Sequence, residues 1–452
     1  MTKQLVNDGY FKQIISIVNE IYPEDVEQPS IYRDTTLFFV NDATSTRQQL
    51  DIKIQIAALQ DELAEGDNPA ASGQLEALID ELGQAKQKDT QGRELRLQRV
   101  RSVCSKVFAL CEGDSDASTQ KKTAKFLAAL WLLAEQHEGN LKRLNQRLKV
   151  PYKLALTLLF ADTIIANNLP KVTHWSGFTN PKLRYQGPTE NKQKWFDAVA
   201  MPMMMASLFQ DSGLQHPLSI KLLHGDNGSE DPFRVLSQQE RQSLLKMNYR
   251  FSVDYVTLGL GMSYASDSSQ TDQQALAQAT TLELVKDAYK PKSGIGEILK
   301  IPQIYTSIVF STKSGFRRED VPKGCLLIEQ LAKEGVLNSK LVRAFNAITG
   351  LFPQGFGLLN SEHKLLVYGL NPQKPHEPYV KPLLDTSDIE LIQPPFTLLK
   401  KDNFYFANTR KQFDAVDSAK IEALVKVKQQ DNASTWQSSK FFAKWHRLWA
   451  KL

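Results

Sequence analysis

The chain has 452 residues, 42% hydrophobic and 23% charged, which suits a globular protein of two or three domains. Its net charge of +5 is too small for a nucleic-acid binder, which needs a concentrated basic face. No leader-like apolar run follows MTKQLVNDGYFKQ, no stretch reaches the roughly 20 apolar residues of a membrane span, and Cys104, Cys111 and Cys325 form no CxxC pair. A cytoplasmic protein with no transmembrane segment and no nucleic-acid partner is the expectation.

In chain order, residues 1–45 are mixed, and Thr36–Val40 reads equally as a strand or an extended tether. From Arg47 a helical period sets in. Leu50, Ile54, Ala57 and Leu63 form one stripe; Pro69 and Gly73 mark a break. Leu75, Leu78, Ile79 and Leu82 resume the pattern, and Leu95, Val100, Val103, Val107 and Leu110 extend it. The spacing predicts a coiled-coil hairpin over 47–112, which either packs on its own domain or forms a homodimer. A polar linker, GDSDASTQ, precedes two apolar helices, Lys121 to Gln136 and Pro151 to Asn167, the second opened by its proline. After an irregular insert come a helix through Met201–Phe209 and a Gly/Asp-rich loop. LSQQERQ then holds a capping box, Ser237 with Glu240, at the start of a further helix. Helices continue from about Gln270 to Phe345. GLFPQGFGLL and HKLLVYGLN predict a small hairpin, PQKPHEPYVKP an extended segment, and Phe396 to Phe406 a pair of strands. SSKFFAKWHRLWAKL closes the chain as an amphipathic helix, with Phe441, Trp445, Leu448, Trp449 and Leu452 on one face.

From Leu154 to Pro382 the chain resembles the HD-GYP family of cyclic-di-GMP phosphodiesterases. ASLFQDSGL matches the apolar helix that in the family ends in His-Asp-x-Gly-Lys. Asp211 and Gly213 are kept, with Gln210 and Leu214 in the His and Lys places. ILKIPQIYTSIVFS is similar to the helix carrying a metal-binding Asp before an aromatic, and Gln303 stands at the Asp. FRRED resembles the phosphodiester-facing Arg element, and LFPQG the turn into the closing hairpin. LSQQERQSLLKMNYRFSVDYV is similar to the helix with a metal-binding His, and Met247 and Asn248 occupy that neighbourhood. The family's double-His element would fall between Gly259 and Gly294, where there is no histidine and Tyr289-Lys290-Pro291 is a remnant of its Gly-Tyr-Pro loop. The His of the helix near Leu154 to Phe160 is absent too.

Helical spacing and the resemblance together predict a mainly α chain: an N-terminal helical region (1–120), a bundle that the resemblance makes HD-GYP-like, with a small β-hairpin (121–385), and a C-terminal extension (386–452). The resemblance also implies an emptied reactive centre, because neutral amides cannot replace imidazole and carboxylate at a hard di-metal site. No catalytic residue, metal or cofactor is expected; Asp211 and Gly213 are vestigial. Lys290, Arg317 and Arg318 fall in the elements that resemble the substrate-facing loops and are the expected cyclic-di-GMP contacts, with Lys292 and Lys313 nearby. One metal held by Asp211, His216, His224 and Asp226 is the enzymatic alternative; the same residues also read as a solvated loop. The functional expectation is an inactive effector or scaffold that binds cyclic-di-GMP and relays to a protein partner through its N-terminal helices or C-terminal helix. The alternatives are a phosphodiesterase with a rearranged site and a purely structural interaction domain.

Overall fold

The structure is a computed structural model that describes residues 9–66, 68–135, 141–169, 173–187, 189–263, 273–313, 316, 320–360, 364–383 and 394–406. Helix α1 (Gly9–Ile21) buries Phe11, Ile14, Ile17, Val18 and Ile21, an i, i+3, i+4 face seated against the body. Helix α2 (Ile31–Glu65) starts at Ser30, whose hydroxyl accepts the Arg33 N–H at 3.1 Å. The stretch Thr36–Val40 is therefore neither strand nor tether. Its β-branched and aromatic residues are overridden because one helical face lets Phe39 pack on His216, Phe251 and Tyr255. Helix α3 (Pro69–Cys111) begins with Asn68 capping the Ala70 and Ala71 N–H groups and Pro69 in the first turn.

Helices α2 and α3 form the expected antiparallel hairpin, and Leu63, Leu75, Leu78 and Leu82 of the predicted stripes lie in its seam, while the rest of the α2 stripe does not. Ser45, Gln49, Ile52, Ile56, Leu59 and Leu63 face Ala71, Leu75, Leu78, Leu82, Ala85 and Asp89 at alternating steps of three and four. Leu50 and Ile54 point outward, as do Ile79 and Leu95. The α2 sequence carries apolar residues on both faces, and the match to Leu75, Leu78 and Leu82 selects the one that closes. A polar layer interrupts the seam: Asp89 accepts from Gln49 Nε2 at 2.6 Å and from Ser45 Oγ at 3.4 Å. At the root the hairpin grips its own body. Arg93 and Arg96 donate to the carbonyls of Leu258 and Gly259 at 3.1 and 2.8 Å, while Arg99 pairs with Asp34 of α2, across the hairpin itself, at 2.8 Å.

Helices α4 (Asp116–Glu135) and α5 (Leu141–Ala166) follow. Pro151 lies inside α5, not at its start. The proline removes one rung of the ladder, yet the turn before it is anchored independently. Arg147 donates to Tyr22 O and Asn19 Oδ1, and Asn145 donates to Ser311 O. Two 3-10 turns (Thr173–Phe178, Pro181–Tyr185) lead to α6 (Glu190–Trp195), which a π turn joins to the wholly buried α7 (Met201–Phe209). After α8 (Pro217–His224), Ser237 and Glu240 form both bonds of the capping box at the start of α9 (Gln238–Asp254), which ends in a π turn, Tyr255–Gly259. Helices α10 (Gln273–Tyr289), α11 (Glu297–Val309), α12 (Lys323–Lys333) and α13 (Ser339–Thr349) complete the helical set; α5, α7, α10 and α11 pack on one another as its centre.

The chain then makes an antiparallel meander of β1 (Gly357–Leu359), β2 (Lys364–Gly369), β3 (Tyr379–Leu383) and β4 (Phe396–Thr397) in the order β1-β2-β3-β4. The turn before it approaches α4 closely: Gly355 has φ 89, and a Cβ there would sit 3.1 Å from Ala128. The predicted strand pair over Phe396 to Phe406 is only half formed. After β4 the backbone closes two 3-10 turns, Lys400–Asp402 and Phe404–Phe406, with Tyr405 and Phe406 packed edge-on against Phe352. The fold is thus mainly helical with a small sheet. Among the described residues no helix is long and apolar enough to cross a membrane. The predicted C-terminal amphipathic helix lies outside the described residues.

Candidate functional site

Helix α7 is apolar throughout and delivers Gln210 and Asp211 to a tight corner. There the Ser212 hydroxyl donates to Phe209 O at 2.8 Å and a 3-10 turn, Ser212–Gln215, begins. The corner lies directly on α9. A Cβ on Gly213 would sit 2.3 Å from the Asn248 carbonyl oxygen, so only glycine permits the approach, and the Gly213 N–H donates to Ser252 Oγ at 2.9 Å.

Around that corner four helices contribute polar side chains to one network with Asp211. Lys153 of α5 places Nζ 3.5 Å from Asp211 Oδ2. Gln303 of α11 donates Nε2–H to the same oxygen at 2.5 Å, and Asn248 of α9 donates to Oδ1 at 3.2 Å. Asn248 also donates to the phenol oxygen of Tyr289, on α10, at 2.6 Å. The Tyr289 hydroxyl donates in turn to the Gln210 carbonyl, which Ser252 Oγ approaches at 3.1 Å. Lys153 is sealed, with its side chain 3% exposed, whereas Asp211 is 22% exposed at the edge of the network.

The electrostatics follow from this geometry. Burial opposes ionisation of Asp211, but Lys153, Lys149 and the Asn248 and Gln303 amides together hold its carboxyl below the usual range. Burial lowers Lys153 to about 8 despite the attraction of Asp211, and it lowers Lys149, one helical turn earlier, for the same reason. Tyr289 is raised by burial and by the Asp211 charge. Two ammonium groups thus face one carboxylate, leaving a surplus of positive charge.

The donor set does not fit a di-metal centre. Two carboxamides and an ammonium surround the carboxylate, and the ammonium occupies the side of Asp211 that a cation would need. Nor do the loop histidines converge on it. His216 stacks on Phe251 with ring centroids 3.4 Å apart and accepts the Leu218 N–H at 3.1 Å, while Asp226 pairs with Lys221 at 3.1 Å. Among the described residues no group of three or more His, Cys, Asp or Glu is placed to hold a metal.

Of the positions the sequence singled out, Asp211, Gly213, Asn248, Tyr289 and Gln303 meet here. Lys290 lies beside the network, with Nζ 4.6 Å from the centroid of the Tyr249 ring. Arg317 and Arg318 lie outside the described residues. Sequence reasoning missed Lys153 and Lys149. The signal was present: Lys153 interrupts the apolar run VPYKLALTLLF, and a lysine there must find a buried partner.

A second buried ion cluster stands apart from this one. Arg184 bonds Glu112 at 2.7 Å and Asp162 at 2.7 Å, and its guanidinium lies over Tyr185 and Trp195 at 4.4 and 4.6 Å. Burial, with Glu112 opposing Arg184, raises Asp162 to about 7. A cleft of about 420 Å³ lies elsewhere again, between the hairpin helices and lined by Arg47, Asp51, Ile52, Leu78 and Glu81. Comparison with protein-family models, curated proteins and solved structures gives no significant match for the chain.

Proposed function

We propose that this chain is a non-hydrolytic counterpart of the HD-GYP phosphodiesterases, acting as a signalling effector or scaffold. The observation that carries the reading is the Lys153 ammonium seated 3.5 Å from Asp211. It supplies, from within the chain, the positive charge that a hydrolase of this kind takes from metal ions. Gln303 and Asn248 stand where the resemblance calls for a carboxylate and an imidazole, and both spend their amide donors on Asp211. Such a centre holds its helices together and offers no activated water.

The surplus charge at Lys149 and Lys153 and the exposed cation of Lys290 beside Tyr249 favour a phosphodiester ligand over a neutral one. Cyclic-di-GMP, bound with Arg317 and Arg318, is the ligand this reading assigns. The projecting hairpin is the surface that relays to a protein partner. Calorimetry with cyclic-di-GMP and metal analysis on one preparation test both halves. The expected result is saturable heat without stoichiometric metal, weakened about tenfold or more by Lys290→Ala or Arg317→Ala. No heat at high-micromolar nucleotide leaves only the scaffold. Bound iron or manganese at about two equivalents, with nucleotide hydrolysis, overturns the reading.

A further inference from the structure

The hairpin carries a second apolar row that its own partner helix leaves uncovered. On α2, Leu50, Ile54, Ala57, Asp61 and Ala64 recur at steps of three and four on the side away from the seam, continued by Arg47, whose side chain reaches the rim of the hairpin cleft, and all are exposed. Leu50 is 54% and Ile54 59% exposed. The row reads basic, apolar, acidic from one end to the other. Among the described residues neither Arg47 nor Asp61 has an ion-pair partner in its own chain.

We propose that two copies of this chain associate through this row, with their α2 helices antiparallel. Inverting one copy about the point midway between Ile54 and Ala57 stacks Ile54 of each chain on Ala57 of the other. Arg47 then lies about 4.5 Å along the axis from Asp61 of the second copy, at 1.5 Å of rise per residue, within easy reach of its side chain. On the flanks Asp51 meets Gln60 and Lys53 meets Ala58, so no like charges face one another. A parallel pair sets Arg47 on Arg47 and Asp61 on Asp61, which repel. The charge order therefore selects both the occupant and its direction, independently of any nucleotide bound at Asp211.

Sedimentation velocity of the full chain tests this. The wild type is expected to be a reversible dimer at tens of micromolar. Ile54→Asp abolishes the dimer, and Arg47→Asp weakens it about tenfold by facing two acids across the contact. Adding Asp61→Arg to Arg47→Asp restores it. These residues lie off the seam, so circular dichroism should show unchanged helix content in each variant. A wild type that stays monomeric to about 100 µM, or a double variant no better than Arg47→Asp alone, overturns the proposal, whatever other protein the row binds.

Discussion

Helix α5 feeds two buried charge clusters of opposite balance. Lys153 joins a centre with two cations for one carboxylate, and Asp162 joins one with two carboxylates for one guanidinium. The Arg184 cluster is closed: Arg184 and Glu112 side chains are 2% and 5% exposed, and aromatic rings cover the guanidinium. It ties the end of α3 to α5 and to the Pro181–Tyr185 turn, and reads as a pin. The Asp211 centre is lined by amides, opens at Asp211 and keeps surplus positive charge, and so reads as a site. Their titrations run in opposite senses. Asp162, raised to about 7, contributes stability that is whole below about pH 4 and is lost as pH climbs through 7. Lys153, lowered to about 8, makes stability rise with pH from about 8 towards the ordinary lysine value near 10.4.

The largest expected effect breaks the pin. Arg184→Met strands two buried carboxylates and should cost about 4–5 kcal/mol in urea unfolding at pH 7.5. A loss under about 1 kcal/mol would show the cluster to be solvated. Lys153→Met leaves Asp211 with its amides and Lys149, so about 3 kcal/mol is expected. If that variant instead gains stoichiometric metal and activity, the ammonium is a placeholder for a working centre. Asp162→Asn removes one pH dependence and spares the other. Its stability relative to wild type should rise by about 3 kcal/mol between about pH 4.5 and 7.5, read from melts across pH, and a flat difference would reject the raised carboxyl. The smallest effect is Gly213→Ala, which forces the Asp211 corner off α9 and should cost about 2 kcal/mol. A neutral result would mean that the corner moves freely.

Much of the helical order was legible because periodicity and caps speak locally. Ser237 with Glu240 forms its capping box, and the LFPQG turn leads into the sheet as expected. Where tertiary contacts decide, sequence reading failed. Thr36–Val40 looked extended but is held helical by Phe39 packing, Pro151 sits mid-helix because Arg147 and Asn145 anchor the turn before it, and the hairpin seam was set by α3 rather than by α2 alone. At the site, Asp211, Gln303 and Asn248 were found through positions a family would fill with ligands. Lys153 was missed because such a comparison looks for donors to a metal, not for a cation that takes its side.

Asp89 gives the hairpin one last property. Sliding α2 by a heptad would replace its Ser45 and Gln49 neighbours with Ile52 and Ile56, stranding a carboxylate against hydrocarbon. The two helices are keyed like a ratchet at that tooth. Held in that one register, the arm keeps a single length from root to tip.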